Sequence, residues 1–208
     1  MVGTQKRTRS AEETRALIIS EATVLFATRG YERTSLNAIA KSIGISAPAL
    51  YYHFDSKDEI LFATLEATLL NLRAMSSDAE VSAGSAPADR LRAFVRAHVF
   101  HDVGNAEIMP MLNAGLYNAD KLIEGLPTAR RKRLTLLQRA FLDQLRDILQ
   151  SGRDEKMFRI DDITATAFAI IGMVDFAVYW FRAEGKLSVE QLADQYGELA
   201  LRMVDAAA

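Results

Sequence analysis

Cysteine is absent from the 208 residues, which excludes disulfides, thiolate metal centres and cysteine nucleophiles together. The opening from Met1 to Ser10 is polar, carries Lys6, Arg7 and Arg9, and has no apolar run behind it that could act as a signal peptide. Both absences suit a reducing compartment, so a cytoplasmic protein is expected. No alternating β-branched run of strand length occurs, and no internal repeat stands out. Enzyme signatures are missing too: there is no glycine-rich phosphate loop after a strand, no nucleophile elbow and no zinc-protease pair of histidines. No catalytic residue and no cofactor are therefore expected. A helical enzyme using scattered Asp and Glu stays as a rival reading, and an adaptor that binds only protein is a second.

With 50% apolar and 25% charged residues, the composition is that of a globular protein able to bury a core. The net charge is −2, unevenly spread: residues 1–58 hold eight Lys or Arg against six acids, a balance of +2 that leaves −4 for the rest. That sign is the one expected where phosphate is met near the N-terminus.

Apolar residues recur at three- and four-residue spacing, which predicts an all-α fold. Ser10 and Glu13 form a capping box ahead of Ala16, Leu17, Ile18, Ala22, Leu25 and Phe26, and Gly30 ends this helix. Ser35 caps a short second helix that stops at Gly44. A third starts at Ser46, with Pro48 in its first turn where no amide proton is missed, and runs to about His53. Ser56 and Glu59 open a long fourth helix that fades near Met75. The stretch 76–87, rich in Ser, Ala and Gly, reads as a loop. Further helices are predicted over 88–103, 106–117, 128–151, 163–183 and 188–204, with Pro127, Gly152 and Gly185 as punctuation.

Two short helices around Gly44, with small Ala40 where they approach, have helix-turn-helix spacing. Ile39, Ile43, Ile45 and Leu50 are placed to bury the pair, leaving Ser46, Ala47, Ala49, Tyr51, Tyr52 and His53 for solvent. A recognition helix sets its N-terminal part on base edges and holds phosphates with the surrounding donors.

The residues Thr34-Ser35-Leu36, Ile39-Ala40, Gly44-Ile45-Ser46 and Leu50-Tyr51-Tyr52-His53-Phe54-Asp55-Ser56-Lys57 resemble the TetR family of repressors over about the first quarter of the chain. The resemblance implies an N-terminal three-helix DNA-binding domain, residues 1–56, followed by a helical ligand-binding and dimerisation domain, residues 57–208. It implies phosphate contacts from Thr34 or Ser35, Tyr51, Tyr52 and Lys57, and groove contacts from Ser46, Ala47, Pro48 and Ala49. His53 either faces DNA or is satisfied inside the fold. Where many members carry a Lys-Gly-Thr type triplet, this chain has Ala47-Pro48-Ala49, so methyl contacts with thymine or the reading of DNA shape replace long polar side chains. The partners implied are a palindromic duplex operator, a second copy of the chain paired through its last two helices, and a hydrophobic small-molecule effector. The region from Asp175 to Trp180 resembles relatives that sense lipid or acyl-thioester metabolites. Repression and activation are both open.

Residues 163–181 reach transmembrane length, but Asp175 would be costly in lipid, and a helix buried on two sides with no membrane partner is expected. Ala165, Ala169 and Gly172 suit close approach of another helix. Phe94, His98, Met109, Met111, Tyr117, Phe141, Phe168, Met173, Asp175, Phe176, Tyr179 and Trp180 are the candidate lining of an apolar effector pocket, oriented by Asp175, Tyr179 or His98. His98, His101 and Asp102 have partial metal-ligand spacing, but no third partner follows from sequence and no metal is expected. Arg130-Arg131-Lys132-Arg133 opposes a helix dipole if it sits in a first turn, which either an anionic ligand group or an earlier helix start would explain.

Overall fold

The computed structural model describes residues 9–110 and 121–204, and the candidates Met111 and Tyr117 lie outside the described residues. Among the described residues all regular structure is helical: α1 Ala11–Arg29, α2 Leu36–Ser42, α3 Ala47–Tyr51, α4 Lys57–Ala83, α5 Pro87–Gly104, α6 Lys121–Glu124, α7 Thr128–Asp154, α8 Ile163–Asp175, α9 Ala177–Trp180 and α10 Val189–Met203. The chain divides into two compact units, residues 1–65 and 66–208.

In the first unit α1 starts as the sequence predicts. The Glu13 amide donates to Ser10 Oγ (3.0 Å) and the Ser10 amide to Glu13 Oε2 (2.8 Å). Gly30 closes it at φ +85°, and Gly44 turns α2 into α3 at φ +71°, both in the region that favours glycine. Ile18, Ala22, Phe26, Ile39, Ala40, Leu50 and Phe54 form the buried core. At the start of α4 the Glu59 amide donates to Ser56 Oγ (3.1 Å), and the Glu59 carboxylate accepts from the Asp55 amide (2.8 Å). The first compact unit runs into α4, as far as residue 65. Ile60, Leu61 and Leu65 at the start of α4 are buried, and the Tyr31 hydroxyl donates to Asp58, so these turns complete the first core.

In the second unit α5, α7, α8 and α10 pack around Leu91, Phe94, Val95, Val99, Leu145, Ile148, Ile170, Val174 and Ala200. The apolar stripe of α10 (Leu192, Ala193, Gly197, Ala200, Leu201) lies along α5, and Gly197 admits the stem of Arg92, which would stand 3.0 Å from a Cβ there. Ion pairs Arg92–Glu198 (2.8 Å) and Arg96–Asp194 border this contact.

Two expectations fail locally. The stretch 76–83 continues α4 rather than looping, because alanine is the best helix former and Ser76 is fully buried; Gly84, at φ +87°, follows its end. Residues 163–183 are not one helix: α8 stops at Asp175 and a short turn, α9, restarts at Ala177. Ile163–Trp180 is apolar enough by composition to cross a membrane, yet this break interrupts it, and Ala167, Ile170, Ile171, Val174 and Ala177 are buried in the unit's own core.

At the end of α7, Gly152 sits directly against the Phe158 ring, and its carbonyl accepts from the Met157 and Phe158 amides (2.9 and 3.0 Å). A Cβ at Gly152 would overlap that buried ring. Overpacking costs about 1–3 kcal/mol and more against a fixed ring, which outweighs the roughly 1 kcal/mol alanine gains over glycine in a helix. Gly152→Ala is therefore expected to lower the urea midpoint of unfolding. A raised midpoint would mean that the ring yields freely.

Candidate functional site

The first unit presents α3 as a short, outward element. The hydroxyl of Ser46 accepts from the Ala49 amide (3.3 Å), Pro48 fills the first turn, and Leu50 anchors the helix at 0% exposure. Ser46 and Pro48 are exposed, Ala47 and Ala49 half-buried. Tyr51 is 52% and Tyr52 82% exposed, a large aromatic surface for a short segment. His53 is half-buried, its ring edge-on to Tyr52 at 5.2 Å.

Two of the expected phosphate contacts are otherwise engaged. Thr34 is buried, and its hydroxyl lies within hydrogen-bond reach of Gly30 O (2.9 Å) and Leu25 O (3.1 Å) near the end of α1; the exposed position is Ser35, which caps α2 through the Ala38 amide (3.1 Å). Lys57 is half-buried, with Nζ 4.1 Å above the Tyr31 ring and donating to the carbonyls of Tyr31 (2.9 Å) and Glu32 (3.4 Å).

The second unit holds a cavity of about 220 Å³. Of the residues predicted for it, His98, Met109, Phe141, Phe168 and Asp175 line the wall. Phe94 stands behind it, stacked on Phe141 at 4.9 Å between ring centres. Met173, Phe176, Tyr179 and Trp180 are not on the wall, and the last three are 62%, 47% and 45% exposed. Helix periodicity is the reason: Phe168, Ile171 and Asp175 recur along the cavity side of α8, while Ala165, Ala169, Gly172 and Phe176 make an exposed stripe that α9 prolongs. On α10, Leu199 and Met203 are likewise exposed apolar residues.

Sequence reasoning missed the α4 side of the cavity (Thr68, Leu69, Leu72) and the α7 side (Thr135, Gln138, Arg139, Leu142). The α7 set recurs at i, i+3, i+4 and i+7, a signal available in the sequence but carried mostly by polar side chains.

At one end of the cavity lies a buried polar cluster. His98 Nε2 is 3.1 Å from Asp175 Oδ1 and 3.4 Å from Asp102 Oδ2, and His101 Nδ1 is 3.0 Å from Asp102 Oδ1. Burial pushes the His98 ring toward neutrality, but the carboxylates of Asp102 and Asp175 outweigh it and hold its pKa well above the ordinary histidine value. For Asp102, burial pushes upward and the two histidines outweigh it, holding the carboxyl below the usual range. Asp175 thus reaches the His98–Asp102 pair from α8, a contact that the sequence did not reveal. The basic cluster 130–133 does fall in the first turns of α7, which begins at Thr128; there Arg133 pairs with Glu66 (2.8 Å) and Arg131 donates to Thr128 (3.3 Å).

Comparison with known proteins agrees across the chain. Residues 18–64 match the family model described as bacterial regulatory proteins, tetR family, and residues 84–204 match that of the Tetracyclin repressor-like, C-terminal domain. The HTH-type transcriptional repressor KstR2 of Rhodococcus jostii (strain RHA1) is 26% identical over 188 residues, covering 90% of this chain and 89% of that one. Among solved structures, the TetR family transcriptional regulator PfmR from Thermus thermophilus is 32% identical with a TM-score of 0.77, over 89% of this chain and 97% of that one. The structure of AibR in complex with isovaleryl coenzyme A and operator DNA is 25% identical with a TM-score of 0.76, over 94% of this chain and all of that one (100%).

Proposed function

Because the chain belongs to the TetR family of transcriptional regulators, we propose that it acts as a repressor that binds a palindromic operator as a homodimer and is released by a small hydrophobic effector in the cavity of its second unit. It works where the chromosome is, in the cytoplasm. The observation that carries the DNA-binding half is the outward face of α3, where Tyr51 and Tyr52 stay exposed although Leu50 is fully buried. Two such helices related by a two-fold axis meet inverted half-sites about one helical turn apart, roughly 34–36 Å. Ser35, Tyr51 and Tyr52 supply phosphate contacts, and Ser46 to Ala49 approach the groove. Selection of bound duplexes from a random pool tests this reading: inverted repeats are expected, and asymmetric sites held by a monomer would overturn it.

The effector half rests on the cavity. At about 220 Å³ it lies below the ~300–1,000 Å³ usual for whole ligands, so the described walls suit a short acyl or similarly small apolar group better than a long chain or a fused-ring body. The AibR structure, with isovaleryl coenzyme A and operator DNA, supports an acyl thioester as the first class to screen. Release requires that the effector prefer the DNA-incompetent form of the dimer, and linkage then demands that operator DNA weaken effector binding by the same factor. Calorimetric titration with and without operator measures both. An acyl thioester that binds equally in the two cases would not be the effector.

Lys57 offers a separate test. Its ammonium is held by two carbonyls, so Lys57→Ala is expected to lower the thermal stability of the first unit and to leave the salt dependence of DNA binding unchanged. A log–log salt slope flattened by about 0.9 would instead assign the ammonium to a phosphate.

A further inference from the structure

We propose that His98, Asp102 and Asp175 form a binding site for one divalent first-row transition-metal ion at the end of the cavity. The inference rests on the second unit alone and stands whether or not the chain binds DNA.

The donor atoms converge from two helices: His98 Nε2 and Asp102 Oδ2 from successive turns of α5, Asp175 Oδ1 from the last residue of α8, all within 4.8 Å of one another. Metal–nitrogen and metal–oxygen bonds of about 2.0–2.2 Å at tetrahedral angles put ligand atoms about 3.4 Å apart. The two separations from Nε2, 3.1 and 3.4 Å, already match that spacing.

Hydrogen bonding alone leaves the cluster incomplete. Nε2 carries at most one proton, and at 3.1 Å Asp175 is its nearer acceptor. Asp102 Oδ2 is then a fully buried carboxylate oxygen that accepts no hydrogen bond among the described residues, with only the His98 ring, 3.4 Å away, to offset its charge. A dication that displaces the Nε2 proton to solvent would bond all three atoms and balance both carboxylates.

His101 completes the logic. Its Nδ1 lies 3.0 Å from the other Asp102 oxygen, Oδ1, and so fixes the carboxylate plane with Oδ2 turned toward the site. This is the outer-shell support that ligating carboxylates require, which makes His101 a positioning residue rather than a ligand. His98 and Asp175 also line the cavity, so the ion would face it with a coordination position free for water or a donor atom from a cavity ligand. One imidazole and two carboxylates form a mixed nitrogen–oxygen set that favours the later first-row dications over magnesium or calcium.

The test uses the full chain, stripped with a chelator and titrated with Co²⁺. One ion per chain is expected, with visible d–d bands that Zn²⁺ abolishes by displacement. His98→Gln and Asp175→Asn should each weaken Co²⁺ binding by about tenfold or more, since loss of even an outer-shell partner costs that much. Asp175 is at the rim of the cluster, its side chain 14% exposed, so this variant keeps the fold better than a change at the fully buried Asp102, and circular dichroism checks it. Failure of the wild-type chain to bind Co²⁺, or binding undiminished in both variants, overturns the proposal.

Discussion

Aspartate in place of Phe176 is expected to leave a folded monomer that has lost its hold on DNA. Phe176 is 62% exposed, at the end of the α8 stripe that also presents Ala169 and Gly172, and its ring packs on that of Tyr179, itself 47% exposed. Folding stability should therefore change little. With the proposed homodimer pairing through this stripe, one substitution enters the interface twice, and a desolvated, unpartnered carboxylate costs several kcal/mol. The dimer dissociation constant should rise more than about a hundredfold, at roughly 1.4 kcal/mol per factor of ten. Operator affinity should fall in parallel, because each half-site then binds without the help of the other. Sedimentation at low micromolar concentration distinguishes the outcomes, and an intact Phe176→Asp dimer would place the interface elsewhere.

The second large effect is expected from Pro48→Glu. Pro48 occupies an exposed position in the first turn of α3, where a carboxylate interacts favourably with the helix dipole, so the unit should fold as before. With α3 set against the duplex as proposed, the same charge meets phosphate. Opposed like charges cost several kcal/mol, so affinity should drop more than about a hundredfold for every sequence, specific or not. Fluorescence anisotropy with labelled operator and with random duplex measures this. Binding that survives would mean that α3 does not face DNA.

The parts of the fold legible in the sequence are those specified by local chemistry. The Ser10–Glu13 box, the glycines at 30 and 44 and the Ser46–Pro48 helix start are decided within a few residues, and they define the N-terminal unit closely. The parts missed are decided by distant partners. Nothing local ends α8 at Asp175, where the apolar run continues without glycine or proline; Asp175 pairs with His98, far back along the chain on α5. Residues 76–83 lack an apolar face and so read as a loop, although Glu80 is nearly buried in a pair with Arg90 (2.9 Å) that the sequence could not announce. Composition marks the aromatics from Phe176 to Trp180 as apolar surface without saying which side of a helix they occupy, which is why sequence reasoning places them in the pocket.

The two faces of α10 carry different constraints. Its inner face is committed to α5 through Gly197 and the paired arginines, and drift there would disturb the unit's own core. On the outer face Leu199 and Met203, together with the α8 stripe, are exposed and lie outside that core. A cell that made several chains of this build would have to keep unlike subunits from pairing, since a mixed dimer would carry one wrong reading head. Discrimination of that kind comes from shape clashes and misplaced charges as much as from good fit. With the proposed homodimer pairing through that outer surface, paralogues within one cell that must stay separate should diverge there faster than in the α5–α10 seam.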